Sequence, residues 1–214
     1  MRKAGSYKAV LFDFDGVLAR TAEDNCRAWE KVLSKHGVPF DRDEYLLLEG
    51  MTTKGIAGKL LERRPGLAGL AGAVAALKDE YYGADNRFAM YEGVGRVLGF
   101  LRAKKILLGV VSGAGRRRLE CSAGSDFLAG FDAVVTGDDV SSCKPDPEPY
   151  LKAAKKLALS VSDCLVVENA PLGIEAAARA GMDCVAVCST LARSRLGGAD
   201  RVIDRLEELL TVLR

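Results

Sequence analysis

Two carboxylates stand one residue apart near the start of the chain, where an apolar run ends. Asp13 and Asp15 follow the apolar residues 9–12, and Gly16 comes directly after them. An apolar run bounded by a glycine is typical of a buried strand in a parallel sheet. A buried carboxylate is costly unless it binds or pairs with another group. The pair therefore predicts an enzyme site, with a cation and a nucleophile beside a base.

Polar groups suited to phosphate or Mg²⁺ also follow three later apolar runs. In chain order they are Ser112 with Gly113, Lys144 before Pro145, and Glu168 with Asn169. The first pair would open a helix, whose free backbone N–H groups bind anions. A lysine positioned by the following proline can clamp a phosphate. Ligands of open α/β sheets bind outside the carboxyl ends of the strands, so four such ends in order predict one phosphate and metal site.

Alternating strands and helices must position these groups. Buried-strand patterns cover residues 9–12, 106–111, 133–135, 165–167 and 185–187, and a short edge strand follows at 202–203. Apolar residues recur at helical spacing between them, as in residues 94–101 and 147–159. Strands that alternate with helices of this size pair in parallel through crossovers. The predicted fold class is α/β, with a doubly wound, Rossmann-like parallel sheet.

A helical insertion interrupts this alternation after the first strand. Three apolar helix faces occupy it: Ala22, Cys26, Trp29 and Leu33; Ile56, Leu60 and Leu61; and Leu70, Val74, Leu77 and Tyr81. An insertion at this point lies over the carboxyl end of the first strand, so we expect a helical cap over the active site. We predict a core of residues 1–18 and 90–214 and a cap of residues 19–89.

Composition argues against several classes of protein. The chain has 31 Lys and Arg against 29 Asp and Glu, a net charge of +2, which gives no strong field for nucleic acid or a membrane surface. No apolar stretch approaches the ~20 residues of a membrane span. The basic first residues lead directly into the predicted catalytic strand, so we do not interpret them as a signal peptide. We expect a cytoplasmic monomer or weak homodimer whose six cysteines are reduced.

These motifs, in this order, resemble those of the haloacid dehalogenase superfamily of phosphotransferases. The matching segments are Asp-Phe-Asp-Gly-Val-Leu at 13–18, Ser112, Lys144-Pro145, and Glu168-Asn169 with Gly173. The insertion and the Lys-Pro-Asp-Pro segment are similar to the β-phosphoglucomutase-like and phosphoglycolate phosphatase-like branch. The resemblance covers nearly the whole chain. It implies a four-helix cap and phosphoryl transfer through an aspartyl-phosphate, hence a Mg²⁺-dependent phosphatase of small phosphorylated metabolites.

The resemblance also implies a role for each motif residue. Asp13 would be the nucleophile and a Mg²⁺ ligand. Asp15 would be the general acid and base, and its backbone carbonyl would also reach the metal. Ser112 and the Gly113 amide would hold phosphate oxygens. Lys144 would neutralise charge between Asp13 and the phosphate.

The fourth motif departs from the usual pattern of the family. Glu168 and Asn169 would complete the Mg²⁺ site, but an acid pair is common here, so an asparagine removes one compensating charge. Glu49 lies in the cap loop that points into the site in this branch, and we hypothesise that it reaches the Mg²⁺ shell through water. The combination is similar to members that hydrolyse inorganic pyrophosphate, so a pyrophosphatase is the alternative function. The alternative to the Mg²⁺-shell hypothesis is that Glu49 is a solvated acid of the loop without a role in the site.

The cap also lacks features of true β-phosphoglucomutases. Asn25, Glu49 and Thr53 stand where those mutases carry His, Lys and Arg, which makes a sugar phosphate mutase the less favoured alternative. The expected substrate-binding residues are Asn25, Glu49, Thr52, Thr53, Ser112 and Gly113. Sugar phosphates, phosphoglycolate and pyrophosphate all remain open as substrates.

The sequence argues against two other classes of protein and leaves two interpretations for one run of arginines. The turn around Gly113 lacks the third glycine of a dinucleotide fingerprint, which argues against a nicotinamide oxidoreductase. The run 116–118 of three arginines is interpreted as a solvated helix face, with steering of anionic substrates as the alternative. A pure binding module is disfavoured because every motif residue is present.

Overall fold

One parallel sheet of six strands forms the centre of the molecule. A computed structural model describes residues 7–62 and 64–213. The strands are β1 (Ala9–Phe12), β2 (Leu107–Val111), β3 (Ala133–Val135), β4 (Cys164–Glu168), β5 (Asp183–Val187) and β6 (Arg201–Ile203). Their order in the sheet is β3-β2-β1-β4-β5-β6, and every neighbouring pair is parallel. The predicted α/β class and doubly wound topology are confirmed, and each observed strand bound lies within two residues of the predicted one.

Ten α-helices lie between and after these strands in the described part of the chain. They are α1 (Ala22–Ser34), α2 (Arg42–Leu47), α3 (Thr53–Leu61), α4 (Ala71–Asp85), α5 (Val94–Ala103), α6 (Arg116–Ala123), α7 (Ser125–Ala129), α8 (Glu148–Lys156), α9 (Pro171–Arg179) and α10 (Leu209–Val212). The helix predicted over 147–159 is α8, which ends earlier because Ala158 adopts a positive φ of 54°.

The register of β1 brings the sequence motifs to one edge of the sheet. Phe12 aligns with Val110 of β2 on one side and with Val167 of β4 on the other. Asp13 follows β1, Ser112 follows β2, and Glu168 is the last residue of β4. Because parallel strands all run in the same direction, these side chains meet at the carboxyl edge of the sheet.

Alternation along the strands divides the core into two layers. Val10 and Phe12 point to the layer that includes α5 and α10, whereas Ala9 and Leu11 point to the layer that includes α8 and α9. Both faces of β1 are therefore covered, which explains why its sequence is an uninterrupted apolar run rather than an alternating one.

The inserted helices α1–α4 form the predicted cap around an apolar cluster of their own. Trp29, Leu33 and Leu61 lie buried in this cluster. Ala19 forms an isolated bridge with Met90, so the two segments that connect the insertion to the sheet run side by side. The residue bounds of core and cap given above stay a prediction.

The predicted apolar face of α4 is partly wrong. Leu70 precedes the helix and is exposed, while the residues of α4 that are buried are Val74, Ala75, Lys78 and Tyr82. The buried face is displaced because Lys78 and Tyr82 find hydrogen-bond partners in the interior. The Lys78 Nζ donates to the Asn25 Oδ1 at 2.6 Å, and the Tyr82 hydroxyl pairs with the Ser122 hydroxyl at 2.8 Å.

No helix in the described part of the chain is both long and apolar enough to cross a bilayer.

Candidate active site

A buried lysine joins two carboxylates at the carboxyl edge of the sheet. The Lys144 Nζ donates to the Asp13 Oδ1 at 2.5 Å, to the Glu168 Oε1 at 2.7 Å and to the backbone oxygen of Val111 at 3.1 Å. All three charged side chains are almost completely buried. Strands β1, β2 and β4 thus converge on one ammonium group, which comes from the segment after β3.

The charges of this cluster do not balance. Burial raises the pKa of Asp13, the nearby Glu168 and Asp15 raise it further, and Lys144 offsets only part of the rise. Burial alone would lower the pKa of Lys144, but Asp13 and Glu168 outweigh it and raise that pKa, so the lysine stays charged. Two carboxyl groups thus face one ammonium group, and the raised pKa of Asp13 means that its carboxylate form needs a further cation.

Glu168 uses both of its carboxylate oxygens within the protein. Its Oε1 accepts hydrogen bonds from Lys144 and from the Tyr150 hydroxyl at 2.6 Å. Its Oε2 accepts from the backbone N–H groups of Asn169 at 2.9 Å and Ala170 at 3.3 Å. In this arrangement Glu168 positions Lys144 and the start of α9, so direct coordination of a metal by Glu168 stays a prediction.

Asp15 lies in a different network from Asp13. Its Oδ1 accepts from the Thr21 hydroxyl at 2.6 Å, from the Asn25 Nδ2 at 3.4 Å and from the Arg118 Nη1 at 3.1 Å. Its Oδ2 accepts from the Arg118 Nη2 and from the Ser112 hydroxyl at 3.4 Å. Burial alone would raise the pKa of Asp15, but Arg118 and the hydrogen bonds from Arg118 and Thr21 lower it. Asp15 is thus held as a carboxylate.

Sequence reasoning missed Arg118 and Lys78. The interpretation of residues 116–118 as a solvated face is wrong for Arg118, which is only 8% exposed, although Arg117 is exposed. Arg118 shares the buried side of α6 with Leu119 and Ser122. Helical spacing from Ser122 is the signal that could have separated Arg118 from its neighbours.

The cap supplies a buried acid to the same site. Glu49 is 4% exposed, and its Oε2 accepts a hydrogen bond from the Asn169 Nδ2 at 3.1 Å. Burial, followed by the nearby Asp15 and Asp13, raises the pKa of Glu49 to about 8. The interpretation of Glu49 as a solvated loop acid is therefore wrong, and its place in the Mg²⁺ shell stays a prediction.

The cap loop also presses on the loop that follows β2. A Cβ atom at Gly113 would lie 2.3 Å from the backbone oxygen of Met51 and 2.7 Å from that of Gly50. Only glycine fits here without a shift of the cap loop, and Gly113 lines the cavity between cap and core. The helix expected directly after Ser112 and Gly113 begins at Arg116.

A small cavity lies between cap and core. About 30 Å³ of it can hold solvent, which is about the room of one or two waters. Its lining includes Asp13, Asp15, Asn25, Glu49, Thr53, Lys78, Gly113 and Arg118. Thr52 lies outside it: its hydroxyl caps α3 by accepting from the backbone N–H of Gly55 at 3.1 Å, and it lines a neighbouring cleft. Entry of a substrate requires that the cap open or that these side chains move.

The geometry agrees with one known family. The profile of the haloacid dehalogenase-like hydrolases matches residues 10–187, which include every motif described above. The chain belongs to this family.

Relatives of this hydrolase include phosphatases and a mutase. It is 33% identical to the validoxylamine A 7'-phosphate phosphatase of Streptomyces hygroscopicus subsp. limoneus, over 95% of this chain and 96% of the relative. It is 30% identical to the β-phosphoglucomutase of Bacillus subtilis, over 94% of this chain and 91% of the relative. The structure of a hydrolase from Pseudomonas syringae superimposes with a TM-score of 0.87 at 26% identity, over 96% of this chain and 97% of that one. The hydrolase is therefore an enzyme of the phosphoric monoester hydrolase class.

The donor set of the hydrolase fits a hard divalent cation. Asp13, Glu49 and the Asn169 side chain offer oxygen atoms, and the Asp15 backbone carbonyl is expected to add another. Mg²⁺ prefers oxygen ligands and keeps several waters. No three Asp, Glu, His or Cys side chains within residues 7–62 and 64–213 are grouped as a metal site by themselves, so amide, carbonyl and water oxygens would have to complete the shell. Burial and neighbouring acids raise the pKa values of Asp13 and Glu49, and a cation at this place would favour the carboxylate form of both.

Proposed function

We propose that this hydrolase is a Mg²⁺-dependent phosphatase that transfers the phosphoryl group of a small metabolite to Asp13 and then to water. The observation that carries the proposal is the presence of two carboxylates, Asp13 buried and Asp15 partly buried, at one cavity in different surroundings. Asp13 is bound by Lys144, whereas Asp15 is bound by Thr21 and Arg118. One carboxylate is thus arranged for attack and the other for proton transfer.

In the first step, Asp13 attacks the phosphorus atom. Lys144 binds the Oδ1 of Asp13, so we assign the attack to Oδ2. A bond forms between Oδ2 and phosphorus and the bond from phosphorus to the leaving oxygen breaks. Asp15, which must take up a proton when the substrate enters and its contact with Arg118 loosens, gives that proton to the leaving oxygen. The Gly113 N–H and the Ser112 hydroxyl would bind phosphoryl oxygens.

In the second step, water replaces the enzyme on phosphorus. Asp15 accepts a proton from the water, the water oxygen bonds to phosphorus, and the bond to the Asp13 Oδ2 breaks. Asp13, Asp15 and the product phosphate are then free for another turnover. Lys144 stays charged throughout and stabilises the negative charge beside Asp13.

Asp13, the Asp15 carbonyl and Asn169 would hold the Mg²⁺, with Glu49 joining directly or through water. The ion would supply charge stabilisation and orientation of the phosphoryl group. The contact between Glu49 and Asn169 favours inorganic pyrophosphate as a second candidate substrate. A mutase is disfavoured because Asn25, Glu49 and Thr53 give the cap loop no cation at these three positions.

Phosphate release with Mg²⁺ from a panel of phosphomonoesters and pyrophosphate tests the proposal. We expect Asp13→Asn to lower turnover by at least about 10³-fold on every substrate, since the nucleophile is lost. Asp126→Asn, an exposed carboxylate on α7, is the matched control and should keep full activity. Normal turnover by Asp13→Asn would contradict the proposal, and a preference for pyrophosphate would select the second candidate.

A further inference from the structure

Two buried cations line the same cavity as Asp15, and the hydrolytic steps above use neither. Arg118 of α6 is 8% exposed and Lys78 of α4 is 2% exposed. A buried charge is costly unless it is paired and fully hydrogen-bonded. Arg118 comes from the core and Lys78 from the cap, so the pair spans the cavity between them.

The Arg118 guanidinium is incompletely bonded. Two of its nitrogens bind Asp15, and its Cζ lies 4.9 Å from the centre of the Tyr82 ring. Its Nε is buried and has no hydrogen-bond partner. Among the described residues it is the one buried side-chain nitrogen or oxygen atom without a partner. A buried donor without a partner is destabilising, so this nitrogen indicates a hydrogen-bond acceptor that arrives from outside.

Lys78 approaches the same place from the cap. Its Nζ donates to the Asn25 Oδ1 at 2.6 Å and to Asp79 at 3.3 Å, and it lies 4.9 Å from the centre of the same Tyr82 ring. The Asn25 amide in turn faces Asp15 at 3.4 Å. Asp15 is therefore the partly buried anion that Arg118 binds directly and that Lys78 approaches through Asn25.

The hydrolytic steps cannot leave this arrangement unchanged. Asp15 must give a proton to the leaving oxygen, yet Arg118 binds both of its carboxylate oxygens. An anion on the substrate would compete for Arg118 and release Asp15. A carboxylate or phosphate suits the guanidinium because both can accept two parallel hydrogen bonds.

We propose that Arg118 and Lys78 bind a second anionic group on the leaving part of the substrate, and so select phosphorylated acids and bisphosphates over monoesters with a neutral leaving group. This inference rests on the proposed phosphatase function and names its substrate class. The carboxylate and the phosphate are two sources of one chemistry, which matched substrates distinguish.

Matched substrate pairs test this selection. 3-Phosphoglycerate and glycerol 3-phosphate differ by a carboxylate in place of a hydroxymethyl group, and fructose 1,6-bisphosphate and fructose 6-phosphate differ by a phosphate. We expect kcat/KM to favour the anionic member of at least one pair by about 10–100-fold, the range for hydrogen bonds to charged groups. Arg118→Met and Lys78→Met should each reduce that preference, Arg118→Lys should keep part of it, and the exposed Arg117→Ala should leave it unchanged.

The ratio of the kcat/KM values within a substrate pair distinguishes a role in substrate selection from a merely structural role. A merely structural role would lower kcat/KM equally for both members, and urea unfolding shows whether each variant is folded. No preference in the wild type, or a preference that survives in both methionine variants, would overturn the inference while leaving the phosphatase function in place. No phosphate release from any substrate would overturn both.

Discussion

Asp13 and Asp15 are separated by one residue, yet their surroundings shift their pKa values in opposite directions. Burial and neighbouring acids raise the pKa of Asp13. Arg118 and Thr21 overcome the effect of burial and lower the pKa of Asp15. The Asp13 side chain contacts Lys144. The Asp15 side chain instead contacts Arg118 and two residues of the predicted cap, Thr21 and Asn25. Separate roles for neighbouring acids follow from this division.

Glu49 gives a prediction at the residue scale. In Glu49→Gln the carboxylate beside Asn169 is lost, so we expect a higher Mg²⁺ concentration for half-maximal activity and weaker Mg²⁺ binding without substrate. Glu62→Gln, on an exposed cap residue, is the control. Mg²⁺ titrations of activity and calorimetry measure both quantities. Identical Mg²⁺ dependence in the two variants would remove Glu49 from the metal shell.

The sequence predicted the positions of Asp13, Ser112 and Glu168 at one edge of the sheet because each lies at the end of an apolar strand. Arg118 and Lys78 were missed because their neighbours in sequence resemble an exposed charged surface. Lys78 occupies a core position of α4 between Val74 and Tyr82. Its partners come from a distant segment, α1, so local pattern alone does not show that a lysine is buried there.

At the scale of elements, helix α9 packs directly against the acid that positions Lys144. A Cβ atom at Gly173 would lie 1.8 Å from the Glu168 Oε1. Strand β4 and helix α9 can therefore approach this closely only with glycine at that position. The same motif that supplies Glu168 thus also carries the glycine that makes room for it.

Gly173→Ala tests this packing. The added methyl group must displace Glu168, so we expect a loss of about 1–3 kcal/mol in the free energy of unfolding together with reduced kcat/KM. Gly99→Ala in α5, where a Cβ meets no atom within 4 Å, is the control and should gain about 0.5–1 kcal/mol. Urea unfolding and steady-state assays measure these effects. Equal stability and activity of the two variants would show that Glu168 is not held by this contact.

At the scale of the whole molecule, the cap and the sheet share one site. Asp13 and Lys144 come from the core, while Glu49, Asn25 and Lys78 come from the cap. The cavity between them has room for one or two waters, so substrate binding must involve relative movement. The sequence predicted a cap in this place, but it did not show how closely the cap loop meets Gly113, because that contact depends on tertiary packing.

The most direct test of the account is chemical trapping of phosphorylated Asp13. Enzyme turning over a good substrate is quenched with acid and reduced with borohydride, which converts an aspartyl-phosphate to homoserine, and the peptides are analysed by mass spectrometry. We predict homoserine at position 13 and none in Asp13→Asn. Unmodified Asp13 throughout rapid turnover, or modification at another residue, would contradict the account.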